Sequence, residues 1–116
     1  MFLPPHTRIY LATGSTDMRK AINGLSILVE DRLRLDPFSG HLFAFCNRRR
    51  NMVKILYWDR NGFCLWHKRL EKEFFFWPQR PDEVMELDLR QLSWLLEGLQ
   101  IGQDKAHKKL HYETLI

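Results

Sequence analysis

Cysteine is scarce in this chain: Cys46 and Cys64 are the two present in 116 residues, too few for a disulfide framework and without the spacing of metal ligands. Both are expected to remain free thiols, as a reducing cytoplasm would keep them. No apolar segment approaches the roughly 20 residues that span a bilayer. The start, Met1-Phe2-Leu3-Pro4-Pro5-His6, has neither the charged opening nor the apolar run of a signal peptide. A soluble cytoplasmic protein without membrane contact is the expectation.

Catalytic constellations are missing as well. No Gly-x-Ser-x-Gly elbow surrounds Ser15, Ser26, Ser39 or Ser93, and neither cysteine has a histidine base at a known spacing. His107 and His111 have the i, i+4 spacing of two imidazoles on one metal, but no Glu follows His107 and no third ligand stands nearby. Thr13-Gly14-Ser15-Thr16 precedes a helical pattern yet lacks the second glycine and the Lys-Ser/Thr ending of a phosphate loop, so it reads as capping. Asp17, Asp31, Asp36, Asp59, Asp82 and Asp88 are scattered over caps, turns and a helix face, whereas two-metal chemistry needs carboxylates that converge. The sequence specifies no enzyme, no cofactor and no metal site.

What is abundant is apolar and aromatic matter, 45% and 13% of the residues, enough for one core in a chain of this length. Formal net charge is +4, and the excess is local. Arg48, Arg49, Arg50, Lys54, Arg60, Lys68, Arg69 and Lys72 face only Asp59 and Glu71 in their region, a field suited to nucleic acid or to an acidic protein surface.

That region, Leu42 to Leu70, reads as a three-stranded antiparallel meander. Its second connection, Asp59-Arg60-Asn61-Gly62, ends in Asn-Gly, the pair expected to supply the positive φ angles of a tight hairpin. Alternation places Val53, Ile55 and Tyr57 on one face of the middle strand and Lys54, Leu56 and Trp58 on the other. In the third strand Phe63, Leu65 and His67 oppose Cys64, Trp66 and Lys68. The first connection, Asn47-Arg48-Arg49-Arg50-Asn51, puts three guanidiniums on one loop, where phosphate is the natural guest.

Around this centre, Arg8-Ile9-Tyr10-Leu11-Ala12 predicts a strand. An amphipathic helix capped at Ser15, Thr16 or Asp17 follows, with Met18, Ala21, Ile22, Leu25, Leu28, Val29 and Leu33 on its apolar face and Asp36-Pro37 ending it. Phe74-Phe75-Phe76-Trp77 stops at Pro78, and four consecutive aromatics cannot all face inward on an alternating strand. Either both faces are covered or part of the run is a self-association or partner surface, to which Trp94 could add. Val84-Met85-Glu86-Leu87 predicts a short last strand, and Asp88 with Gln91 a capping box for a second helix. The fold class is α+β: a mostly antiparallel sheet, one amphipathic helix packed on it and a C-terminal helix, in a single domain over 1–102 followed by a basic tail over 103–116.

Several stretches together resemble the small TnpB-type accessory protein of the IS66 family of bacterial insertion sequences. They are Asp17-Met18-Arg19-Lys20 with Gly24-Leu25, Asn47-Arg48-Arg49-Arg50, Lys54-Ile55-Leu56-Tyr57-Trp58-Asp59, Asn61-Gly62-Phe63, Trp66, Lys68-Arg69-Leu70-Glu71, Trp77-Pro78 and Trp94-Leu95-Leu96-Glu97-Gly98. The likeness runs from Ile9 to Leu99; it departs at Glu73-Phe74-Phe75-Phe76 and after Gly102. It implies a factor needed for transposition, with strand cleavage and joining left to a separate DDE transposase. Arg48, Arg49, Arg50, Lys54, Tyr57, Trp58, Trp66, Lys68 and Arg69 carry the likeness in the basic meander, and Asp17, Arg19 and Lys20 at the first helix.

The expected function is therefore DNA binding in support of transposition, at insertion-sequence ends or transposition intermediates. Arg48, Arg49 and Arg50 would meet phosphates, Lys54, Arg60, Lys68, Arg69, Arg19 and Lys20 would extend the positive track, and Trp58 or Trp66 would stack on bases. The rival is a protein-interaction module that binds the transposase or another accessory subunit through Phe74, Phe75, Phe76, Trp77 and Trp94.

Overall fold

A computed structural model of the chain describes residues 6–80 and 84–99. They form a five-stranded, mostly antiparallel sheet and two helices: β1 (Ile9–Ala12), α1 (Ile22–Asp31), β2 (Leu42–Cys46), β3 (Met52–Asp59), β4 (Gly62–Arg69), β5 (Val84–Leu87) and α2 (Leu89–Leu96), with strand order β4-β3-β2-β1-β5. The predicted tail, 103–116, with His107 and His111, lies outside the described residues. No helix among those described is long and apolar enough to cross a membrane.

The sequence of β2, Leu-Phe-Ala-Phe-Cys, is apolar at every position, and all five residues are buried. Such a run belongs to a strand covered on both faces. Leu42, Ala44 and Cys46 join Ile9, Leu11, Val53, Ile55 and Leu87 on the face covered by Leu92 and Leu95 of α2 and by Phe75 and Trp77. Phe43 and Phe45 join Ala12 and Leu56 on the face covered by Leu25 and Val29 of α1 and by Leu33. The sheet is the middle of three layers.

Two antiparallel pairings, β2 with β3 and β3 with β4, carry the alternation read from the sequence: Ile55 and Tyr57 border the α2 face with Trp66, while Leu56 borders the α1 face with Phe63 and Leu65. β1 pairs parallel with β2 through the α1 crossover and antiparallel with β5.

Three local expectations are corrected. The β3–β4 turn opposes Asp59 to Gly62, so its loop residues are Arg60 and Asn61, and the positive φ falls on Arg60 (58°) rather than on Asn61 or Gly62. The register that keeps Leu56 opposite Leu65 decides this, since a one-residue slip would turn every buried side chain to the other face.

Helix α1 begins at Ile22 with Ala21 as its cap, and none of Ser15, Thr16 or Asp17 caps it. Residues before it are held elsewhere: the Thr16 N–H donates to the Cys46 carbonyl (2.8 Å), and the Lys54 ammonium donates to the carbonyls of Met18 (2.9 Å) and Lys20 (3.1 Å). The helix also stops before Asp36-Pro37, at Asp31, after which Arg34 turns the chain with a φ of 62°. The second helix keeps its expected start, with Asp88 and Gln91 bonded reciprocally at 2.8 and 3.0 Å.

Candidate nucleic-acid interface

The loop between β2 and β3 is stapled by one side chain. Asn47 Oδ1 accepts from the backbone N–H groups of Asn51 and Met52, both at 3.0 Å, while Asn47 Nδ2 donates to Asn51 Oδ1 at 2.7 Å. The Arg50 N–H returns to the Asn47 carbonyl at 3.1 Å, and Arg50 then adopts a φ of 61°. With Cys46 opposite Val53 and the Asn47 N–H on the Met52 carbonyl (3.1 Å), Arg48 to Asn51 form the loop, and Arg50 holds the left-handed conformation that favours glycine. An arginine in that conformation costs about 1–2 kcal/mol. Neighbouring chain holds it there: the Phe75 N–H donates to the Arg50 carbonyl (2.7 Å) and the Leu70 N–H to the Asn51 carbonyl (2.8 Å).

Arg48, Arg49 and Arg50 are exposed, and none has an ion-pair partner among the described residues. A pinned loop presents them, so their backbone would need little further ordering to meet an anion.

Tertiary structure adds to this loop. Because β1 and β2 are parallel, the residues after β1 emerge at the same end of the sheet as Asn47 to Asn51, and the Thr16–Cys46 and Lys54–Met18 bonds fix them there. Arg19 and Lys20 thereby join the loop arginines. Arg19 is clamped by Asp17, with Nε at 3.0 and 3.1 Å from the two carboxylate oxygens and Nη2 at 2.6 Å from Oδ2. That side-chain pairing, with the Arg19 N–H bond to Asp17 Oδ1, holds the Asp17 carboxyl well below the usual carboxylate range and raises the Arg19 pKa. Arg69, paired across the ladder with Met52, completes the end of the sheet with Lys72. Arg69 also contacts Glu71 at 3.2 Å.

Other predicted positions have different surroundings. The Lys54 ammonium lies on the carbonyls before α1, and the Lys68 ammonium donates to the Leu96 carbonyl (2.9 Å), where a cation complements the end of α2. Arg60 and Trp58 stand at the far end of β3, about 23 Å from Met52 for eight residues of strand. Trp58 packs edge-on to Phe38 and Phe63, with ring centroids 5.1 and 5.0 Å away. Trp66 packs against the core on the α2 face, as does Trp94, over which Arg90 lies at 5.9 Å.

The aromatic run divides by alternation: Phe75 and Trp77 are core, 1% and 3% exposed, while Phe74 and Phe76 are 59% and 52% exposed. Sequence reasoning passed over Asn47, whose staple was legible only as a turn former, and Phe38, which the sequence places in a connection. The described residues contain no group of three His, Cys, Asp or Glu able to hold a metal ion.

Comparison with known proteins agrees with the sequence reading. A family model described as "IS66 Orf2 like protein" matches residues 7–106. The uncharacterized protein y4hO of Sinorhizobium fredii is 37% identical over 94 residues, covering 81% of this chain and 82% of that protein. The uncharacterized protein y4jC of the same organism is 36% identical over 92 residues, 79% of each chain. No solved structure matches. The chain belongs to the IS66 Orf2-like family, which suggests an accessory role in transposition.

Proposed function

We propose that the protein is a non-catalytic, cytoplasmic accessory factor of insertion-sequence transposition that binds DNA through the basic end of its sheet, with strand chemistry left to a separate DDE transposase. The observation that carries this reading is the stapled loop presenting Arg48, Arg49 and Arg50, beside Arg19 and Lys20. A backbone held by these bonds carries three solvent-facing guanidinium groups, whose forked donors suit phosphate oxygens. Lys54 and Lys68 serve this surface indirectly, by securing the loop before α1 and the end of α2.

Fluorescence anisotropy on labelled insertion-sequence ends and on a scrambled duplex, over a salt series, tests the proposal. Affinity should fall steeply with salt, and each of Arg48→Ala and Arg49→Ala should reduce the slope by about 0.9. Absence of binding at low salt defeats it. A preference for the ends over the scrambled duplex identifies a recognition factor.

A second reading, contact with the transposase, is favoured by the Phe38, Trp58 and Phe63 cluster at the opposite end of the sheet, where Phe38 is 56% exposed. The two ends would serve two partners. Phe38→Asp should then weaken co-purification with the transposase and spare DNA retention, while Arg48→Glu with Arg49→Glu should do the reverse.

A further inference from the structure

The segment between β4 and β5 crosses the basic end of the sheet as a strap. Leu70 is bonded to Asn51, Phe75 to Arg50, and the Pro78 carbonyl accepts from the Gly14 N–H at 2.8 Å. Phe75 and Trp77 anchor it inward, and Trp77 Nε1 donates to the Ala12 carbonyl at 2.9 Å. Phe74 and Phe76 are left on the outer side, immediately before and after the residue that is bonded to the arginine loop. We infer that this strap is a stacking site for unpaired bases of single-stranded nucleic acid, with Phe74 and Phe76 as platforms beside Arg48, Arg49 and Arg50. It deepens the phosphate-binding reading above and rests on it.

Three observations select this ligand. The strap itself is nearly charge-balanced, since Arg69 pairs with Glu71 and Lys72 stands beside Glu73, so attraction for phosphate comes from the adjoining loop. Between them, loop and strap supply the two parts a sequence-tolerant single-strand site needs, a cationic track and exposed aromatic faces. Among the described residues, the neighbours of the exposed rings along the strap, Glu71, Lys72, Glu73, Gln79 and Arg80, are exposed and polar, which suits isolated ring-to-base contacts better than a protein interface. Phenylalanine carries no group that reads a base edge, and the faces of paired bases are already stacked on one another. Trp66 is occupied by the core and Trp58 lies at the other end of the sheet.

The full-length protein should be titrated by anisotropy against labelled oligo-dT, an abasic strand of equal length and a duplex of equal length. Oligo-dT should bind more tightly than the abasic strand by about fivefold or more for each stacked base. Phe74→Ala with Phe76→Ala should erase that difference while leaving abasic binding and the thermal midpoint unchanged, and Phe74→Tyr with Phe76→Tyr should keep it. Equal binding of oligo-dT and abasic strand by the natural protein overturns the stacking site and leaves phosphate binding intact. A difference that survives in the double alanine variant also overturns it. So does ring-dependent binding that favours the duplex, which would indicate insertion between base pairs, or loss of transposase co-purification with an unchanged oligo-dT to abasic ratio. No binding to any of the three defeats the phosphate reading itself.

Discussion

Replacing Asn47 by alanine removes the staple of the arginine loop without touching a cation. Three hydrogen bonds from nitrogen donors are lost, two from backbone N–H groups of Asn51 and Met52 and one to the Asn51 side chain, along with a weak 3.9 Å contact from the Cys46 thiol. Each is worth about 0.5–1.5 kcal/mol net. The site is partly buried, so water satisfies some of the freed donors and the lower half of the summed range applies. We expect Asn47→Ala to lose about 1.5–3 kcal/mol in urea unfolding followed by tryptophan fluorescence.

Asn47→Asp keeps the Oδ1 acceptor that takes both backbone N–H groups and loses the amide donor to Asn51, so its loss should be near 1 kcal/mol. DNA affinity should fall in Asn47→Ala because the loop keeps only its backbone bonds and must be further ordered on binding. The salt slope should stay the same, since the number of phosphates met does not change. A stability loss below about 0.5 kcal/mol, or a slope that drops as it does in Arg48→Ala, would refute the staple.

Phe75→Ala should cost about 3–5 kcal/mol, as for a fully buried aromatic, whereas Phe74→Ala one residue away should fall within about 0.5 kcal/mol in the same urea titration. Arg60→Gly should raise stability by roughly 1 kcal/mol, the left-handed penalty less the extra entropy of an unfolded glycine; a loss instead would mean that the Arg60 side chain stabilises the turn. Burial pushes the Cys46 thiol up to about 12 from an ordinary 9.0, while Cys64 is partly exposed. A thiol reagent at pH 8 should therefore modify one cysteine in the native protein and two in denaturant. Because the unfolded Cys46 ionises first, its contribution to stability is complete below pH 9 and declines as the pH rises from 9 toward 12, which urea midpoints across that range would record.

Much of the architecture was legible in the chain because strand periodicity is local. The alternation of Val53, Ile55 and Tyr57 against Leu56, the uniformly apolar β2 and the Asp88–Gln91 capping box each depend on residues within a few positions of one another. Failures came where a distant group competed. Ser15, Thr16 and Asp17 are competent caps, but the Cys46 carbonyl and the Lys54 ammonium claim the backbone around them, and α1 starts later. Asn61-Gly62 is a good turn pair, yet the ladder register assigned the loop to Arg60 and Asn61.

By itself the sequence determined which side chains are available: a run of three arginines on one connection, aromatics interleaved with cations, and the motifs of one family. Only the tertiary structure decided which of those groups stand at the same end of the sheet. The parallel β1–α1–β2 crossover carries Arg19 and Lys20 to the arginine loop from 30 residues away, while Arg60, ten residues from Arg50 in the chain, is carried to the opposite end by one length of β3. Extended chain separates sequence neighbours by about 3.3 Å per residue. Crossovers and long-range hydrogen bonds bring remote segments to one edge, and no local pattern records where they will meet.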